Sequence, residues 1–141
     1  IAVANNPNSP LAAWADVEIF LDSGPEVIIG STRMGAGTAQ KAALNLLSTL
    51  THIKLGAVHD GMMINVKGGN AKLKARACKI VSRIASVDER NAAAALELTK
   101  GEIKAAILIS AGAMSPDNAQ QLLKESQGNL RLALSRLALP A

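Results

Sequence analysis

The stretch Ile1-Ala2-Val3-Ala4-Asn5-Asn6-Pro7-Asn8-Ser9-Pro10-Leu11-Ala12-Ala13-Trp14-Ala15-Asp16-Val17-Glu18-Ile19-Phe20-Leu21 decides the fold. Its apolar opening, Ile1 to Ala4, reads as a strand. Asn5 to Pro10 is dense turn chemistry, and Ser9 followed by Pro10 suits the N-cap and first position of a short helix through Trp14. Val17 to Leu21 combines β-branched and aromatic residues and reads as a second strand, stopped by Asp22-Ser23-Gly24-Pro25. Strand, short helix and strand form a βαβ unit, which demands a parallel sheet covered on both faces. Two strands cannot supply one, and the rest of the chain reads as mostly helical. Residues 1 to about 55 are therefore expected to be the trailing part of an α/β domain whose leading part lies outside this sequence.

Length and composition narrow the rest. At 141 residues there is room for one compact domain or two very small ones. Trp14 and Phe20 are the only aromatic residues, so a surface that stacks successive nucleic-acid bases has almost nothing to stack them on, and no nucleic-acid partner is expected. The uncharged runs Ala42 to Ile53 and Ala105 to Pro116 fall short of the roughly 18 apolar residues a membrane span needs, so no membrane association is expected. Cys78 is the only cysteine, which excludes an intramolecular disulfide and a multi-cysteine zinc site and fits a reducing, cytoplasmic setting. The chain opens on Ile1 without a Met, with neither a basic segment nor a long apolar core, and is read as a cut end rather than a secretory signal.

The net charge of +4 is unevenly placed. Residues 61–86 carry six bases and no acid, whereas residues 87–141 balance six against six. Lys72, Arg76, Lys79 and Arg83 line one helical face and Leu73, Ala77, Ile80, Val81 and Ile84 another, which predicts an amphipathic helix. A solvated face of a core-packed helix is the plain reading of those bases; a surface for an anionic partner is the alternative.

Between Gly24 and Lys41 lies the densest cluster of special residues: Gly24-Pro25-Glu26, Gly30-Ser31-Thr32-Arg33, then Gly35, Gly37, Thr38 and Lys41. A helical pattern follows at Ala39, Ala43, Leu46, Leu47 and Leu50, so the cluster sits where a strand's carboxyl end passes into a long helix. Ligands of open α/β sheets bind at that edge, and free backbone N–H groups at a helix start favour an anion. Arg33 adds a forked, permanently charged donor, and Glu26 could accept from sugar hydroxyls. The spacing matches neither the Walker pattern nor G-x-G-x-x-G. A phosphorylated or acidic small polyol would fit, and a glycine-rich turn that simply caps a helix is the competing reading.

These residues also carry a family resemblance. Asn6-Pro7-Asn8-Ser9-Pro10, Ala15-Asp16, Gly24-Pro25-Glu26, Gly30-Ser31-Thr32-Arg33, Gly37-Thr38-Ala39-Gln40-Lys41, Asn45-Leu46-Leu47-Ser48-Thr49 and Asn70-x-Lys72-Leu73-x-x-Arg76-Ala77 resemble, in order and spacing, the C-terminal half of bacterial N-acetylmuramic acid 6-phosphate etherases. The likeness spans nearly the whole chain. It implies the C-terminal part of a sugar-isomerase-type parallel-sheet domain followed by a small helical bundle. It also implies a carbon–oxygen lyase that, as a full-length homodimer, converts N-acetylmuramic acid 6-phosphate to N-acetylglucosamine 6-phosphate and D-lactate in cell-wall recycling, with no cofactor. The family route removes a proton beside the opened sugar aldehyde, expels lactate and adds water, which needs carboxylates tuned near neutrality. The family's catalytic glutamates and main phosphate loop lie in the other half, so no catalytic residue is assigned here and the fragment alone is expected to be inactive. The match carries Ser31, Thr32 and Arg33 over as contacts to a phosphorylated amino sugar, with Glu26 and Lys41 beside them. Where etherases usually place Leu-Lys after Arg33, this chain has Met34-Gly35; Gly68-Gly69 and His59-Asp60 also depart from the family's connecting segment.

The glucokinase regulatory protein carries a similar Gly-Pro-Glu and Gly-Ser-Ser-Arg segment without being an enzyme, so a phosphosugar-binding regulator or isomerase is the second reading. A helical interaction module without ligand is the third. His52 and His59 lack a third ligand, so no metal site is expected, and Cys78, despite Arg76 and Lys79 beside it, reads as an inert thiol. The methionines Met34, Met62, Met63 and Met114 are scattered gap-fillers.

From Ser86 onward, Ser86-Val87-Asp88-Glu89 matches a capping box, Gly101 can end the helix that follows, Ser115-Pro116 starts another and Gly128 ends that one. Eight residue pairs repeat at an offset of 27, among them Leu96/Leu123, Thr99/Ser126, Gly101/Gly128 and Lys104/Arg131, which predicts two helical hairpins in a bundle of about four helices. Gly128 to Leu134 resembles ubiquitin-associated-type domains, a module the etherase family carries, with a structural role favoured over partner binding because no exposed aromatic anchor is evident. The expected organisation is residues 1–56 from the phosphosugar-binding α/β domain, 57–86 a connecting amphipathic helix, and 87–141 the small helical domain.

Overall fold

A computed structural model describes residues 1–66 and 69–138. The chain forms two compact units, Ile1–Thr51 and His52–Ala141. In the first, β1 (Ala2–Ala4) and β2 (Glu18–Phe20) are parallel, with Ala2 opposite Glu18 and Ala4 opposite Phe20. The 3-10 helix Pro10–Trp14 makes the crossover; Ser9 is its N-cap, its hydroxyl accepting from the Leu11 N–H at 3.4 Å. The expected strand–helix–strand order is present. Its second strand is shorter than the stretch Val17–Leu21 read from the sequence, although the ladder continues through Ala2 N–H to Val17 C=O and Leu21 N–H to Ala4 C=O.

The long helix α1 (Ala36–Lys54) follows. It buries none of its residues. Leu44, Leu46, Leu47 and Leu50 are exposed, as are Trp14, Val27 and Ile28, and Ile29 is 99% exposed. A helix apolar on more than one side is of the type that proteins bury. Within this unit only Ala2 and Ala4 are buried apolar residues, so it has no core of its own.

The second unit contains a hairpin that the reading of a mostly helical remainder does not place. β3 (Val58–His59) pairs antiparallel with β4 (Met62–Met63). Asp60 and Gly61, at φ 46° and 74°, form the two-residue loop, the left-handed pair that lets two strands reverse with matching twist. Five helices follow: α2 (Ala71–Ala85), α3 (Glu89–Leu98), α4 (Ile103–Ser110), α5 (Pro116–Glu125) and α6 (Leu130–Ala138). α4 is central and packs against α2, α3, α5 and α6, with Ala105, Ala106, Ile107 and Leu108 fully excluded from solvent. Alanines such as Ala92, Ala119 and Ala133 face it, and small side chains let the backbones approach.

α2 is amphipathic as the spacing predicts: Ala77, Ile80 and Val81 are buried in the common core, whereas Lys72, Arg76, Lys79 and Arg83 are exposed. Lys67, the first base of that stretch, and Gly68 lie outside the described residues. The capping box at Ser86 does not form. Ser86 is instead the left-handed C-cap of α2, at φ 55°, and Asp88 caps α3 by accepting from the Asn91 N–H at 2.7 Å. Two residues earlier the chain is still leaving α2, so Ser86 has no free helix start to serve.

The repeat is real in three dimensions. Thr99 and Ser126 close their helices at φ −97° and −95°, Lys100 and Gln127 follow at φ 54° and 51°, and Gly101 and Gly128 at φ 83° and 75°. Gly101 N–H bonds Leu96 C=O at 2.7 Å, and Gly128 N–H bonds Leu123 C=O at 2.8 Å, the same six-residue closure in both copies.

Candidate functional site

The candidate residues occupy the segment from the carboxyl end of β2 to the start of α1. Asp22 opens it by accepting from the Gly24 N–H at 3.2 Å, with Gly24 at φ 65°. A turn over Ile28–Ser31 follows, closed by Ser31 N–H to Ile28 C=O at 3.0 Å; Gly30 at φ 85° is the left-handed third residue that a type II turn requires. Thr32 C=O then accepts from the Gly37 N–H at 2.8 Å, and the Thr38 hydroxyl donates to Arg33 C=O at 3.5 Å. These bonds tie the tripeptide Ser31-Thr32-Arg33 to the first turn of α1. Ser31 is half-buried; Thr32, Arg33 and, on the second turn of α1, Lys41 are exposed. Among the described residues no carboxylate pairs with Arg33 or Lys41, so both cations are available to an anion.

Glu26 departs from expectation. Its Oε2 accepts from Gly35 N–H and its Oε1 from Ala36 N–H, both at 2.9 Å, and these two bonds hold its carboxyl below the ordinary carboxylate range. The helix start is therefore not the set of free amides that the sequence suggested: an internal carboxylate already occupies it. The physical reason is chain reversal through the Gly30 turn, which brings residue 26 back to residues 35 and 36. Met34-Gly35 acquires a meaning in the same geometry, because a Cβ on Gly35 would lie 3.2 Å from Cδ and both oxygens of Glu26.

Two further residues support the segment, and turn chemistry alone concealed one of them. Asn5 Nδ2 donates to Leu21 C=O at 3.0 Å and to Ser23 Oγ at 3.3 Å, while its Oδ1 accepts from Gln40 Nε2 at 2.7 Å. One side chain thus joins the carboxyl ends of both strands to α1. The Gln40 of the Gly-Thr-Ala-Gln-Lys block was the available signal.

Elsewhere, His59 is buried with Nε2 3.5 Å from Asp60 Oδ2, and Asp60 accepts from Arg131, which lowers the Asp60 pKa. Among the described residues no group of three or more His, Cys, Asp or Glu side chains could hold a metal ion, and no helix is long and apolar enough to cross a membrane. Cys78 Sγ donates to Glu89 C=O at 3.1 Å; burial and the Glu89 charge push its thiol up, against the lowering that Arg76 and Lys79 suggested from sequence.

Fold and site together define a class: a parallel strand–helix–strand unit whose carboxyl edge presents a hydroxyl- and arginine-bearing loop, joined to a helical bundle. The relatives give it a particular likeness. The chain is 44% identical over 135 residues to the N-acetylmuramic acid 6-phosphate etherase of Streptomyces avermitilis, a match covering 96% of this chain and 43% of the relative. It is 44% identical over 135 residues to the etherase of the same name from Serratia proteamaculans, covering 96% and 46%. For that of Yersinia pestis it is 46% identical over 133 residues, covering 94% and 45%. The chain spans less than half the length of these relatives. No protein-family model matches it.

Proposed function

We propose that the chain is the phosphosugar-contacting, non-catalytic part of a carbon–oxygen lyase that cleaves the D-lactyl ether of N-acetylmuramic acid 6-phosphate. The observation that carries this reading is Arg33, exposed and without a carboxylate partner, on the loop after β2 in a chain similar over nearly its whole length to etherases of that name. Arg33 would grip the phosphate with two parallel N–H bonds, and Ser31 and Thr32 would donate hydroxyls to it. Lys41 adds long-range positive charge. The proton-removing and leaving-group-assisting carboxylates are assigned to polypeptide outside this sequence, which would also complete the sugar-isomerase-type sheet and cover α1, Val27, Ile28 and Ile29. The setting is cytoplasmic and the assembly a homodimer.

The test is D-lactate release from N-acetylmuramic acid 6-phosphate by this chain fused behind the preceding half of the Serratia relative. The fusion is expected to turn over substrate and the chain alone is not. Arg33→Ala in the fusion should raise the Michaelis constant about tenfold or more, the equivalent of losing roughly 1.5–3 kcal/mol from charge-assisted bonds. A folded fusion that releases no lactate, or kinetics unmoved by Arg33→Ala, rejects the reading.

A further inference from the structure

Most of the donors at the start of α1 are already taken. An α-helix leaves its first four amides without intrahelical partners, which is why helix starts so often hold anions. The first intrahelical bond of α1 runs from Ala39 N–H to Gly35 C=O, so those amides belong to Gly35, Ala36, Gly37 and Thr38. Gly35 and Ala36 donate to the two oxygens of Glu26, each at 2.9 Å, and Gly37 donates to Thr32 C=O at 2.8 Å. Three of the four are thus closed from within the loop. A Cβ on Gly35 would come within 3.2 Å of all three carboxyl atoms, so the carboxylate would have to give by a few tenths of an ångström there.

We infer that Glu26 is a positioning residue, a built-in anion that closes the first amides of α1 and fixes the loop between, so that an arriving phosphate is received by Ser31, Thr32 and Arg33 and not by the helix start. The inference rests on the reading of that loop as the phosphosugar contact. Its consequences are chemical as well as structural. A second anion brought to Gly35 and Ala36 would meet the Glu26 charge at close range and be repelled, so the backbone cannot share the phosphate while Glu26 is ionised. The side chains of the tripeptide project from a segment whose two ends are pinned, by the Ile28–Ser31 turn and by the Thr32–Gly37 bond. Removing the pin would free the amides to bind an anion and would also loosen the donors that should bind it.

The experiment is a titration of the ¹⁵N-labelled chain with N-acetylglucosamine 6-phosphate and, separately, with inorganic phosphate, followed by amide shifts. In the native chain Ser31, Thr32 and Arg33 should move and Gly35 and Ala36 should stay still. In Glu26→Ala the Gly35 and Ala36 amides should become responsive to inorganic phosphate, at least doubling their shift change. Added acetate should return them toward their native positions in Glu26→Ala but not in Glu26→Gln, where the amide side chain still fills the space. A general loss of structure gives no such selective rescue, and Glu26→Gln serves where Glu26→Ala loses α1. Gly35 and Ala36 moving as far as the tripeptide in the native chain overturns the inference and leaves the phosphosugar reading standing. Silence of the tripeptide in the native chain overturns that reading instead, and the acetate arm then decides alone: no rescue in Glu26→Ala overturns the inference.

Discussion

At the scale of single residues, Glu26 brings a pH dependence that can be followed amide by amide. Its folded pKa lies below the ordinary 4.5 because the ionised form accepts from Ala36 and Gly35. The unfolded chain therefore binds the proton at a higher pH than the folded one, and the stabilisation is full above about 4.5 and lost as pH falls through the lower folded value. Hydrogen exchange of Gly35 and Ala36, corrected for intrinsic rates, should accelerate as pH drops below that range, while exchange in α4 stays unchanged. Equal protection of Gly35 at neutral and acid pH would refute the cap. The sequence displayed Glu26 within Gly24-Pro25-Glu26 but not its partners, because a bond across nine or ten residues depends on the path of the intervening turn. Asn5 shows the same limit: its neighbours Asn6 and Pro7 read as a turn, and only the fold brings Leu21, Ser23 and Gln40 to it.

At the scale of elements, local signals suffice where one helix end or one period decides the outcome. Ser115 and Pro116 open α5 with the Ser115 hydroxyl accepting from Asn118 N–H at 3.1 Å, and α2 buries the face that its period assigns to the core. Local signals do not suffice where two elements share residues or where the elements are very short. Ser86 belongs to the end of α2 and not to the start of α3, a choice that the order Ser-Val-Asp-Glu leaves open. The β3–β4 hairpin has two-residue strands, too short for a period to register, although Asp60-Gly61 is the turn pair that favours such a reversal. The duplicated hairpin yields a symmetrical prediction. Gly101 and Gly128 both need positive φ, and no heavy atom comes closer than 3.7 Å to a Cβ built on either. Gly101→Ala and Gly128→Ala should therefore each cost about 1–2 kcal/mol from backbone strain alone, by chemical denaturation. A difference between the two larger than about 1 kcal/mol would refute the conformational equivalence of the repeats.

At the scale of the whole molecule, the two units differ in what holds them. The helical unit has one contiguous core around α4, and Ile107 is fully buried within it, so Ile107→Ala should cost roughly 2–5 kcal/mol in a denaturant melt. The first unit has only Ala2 and Ala4 buried, and its α1 buries nothing. Amide exchange should accordingly protect α2 to α6 more strongly than α1, with smaller opening energies for the latter. A hydrophobic dye should bind the native chain, and the etherase fusion should abolish that binding. Protection of α1 equal to that of α4 in the isolated chain would contradict this division.

By itself the sequence determined the βαβ order, the helical faces, the repeat at 27 residues and the likeness to etherases, because each depends on residues close together or on a period. Tertiary structure alone decided that Glu26 fills the helix start, that Asn5 clamps strand ends to α1, and that α2 shares a core with α4. Those contacts join residues whose separation is set by the path of the chain in space, and local spacing carries no record of that path.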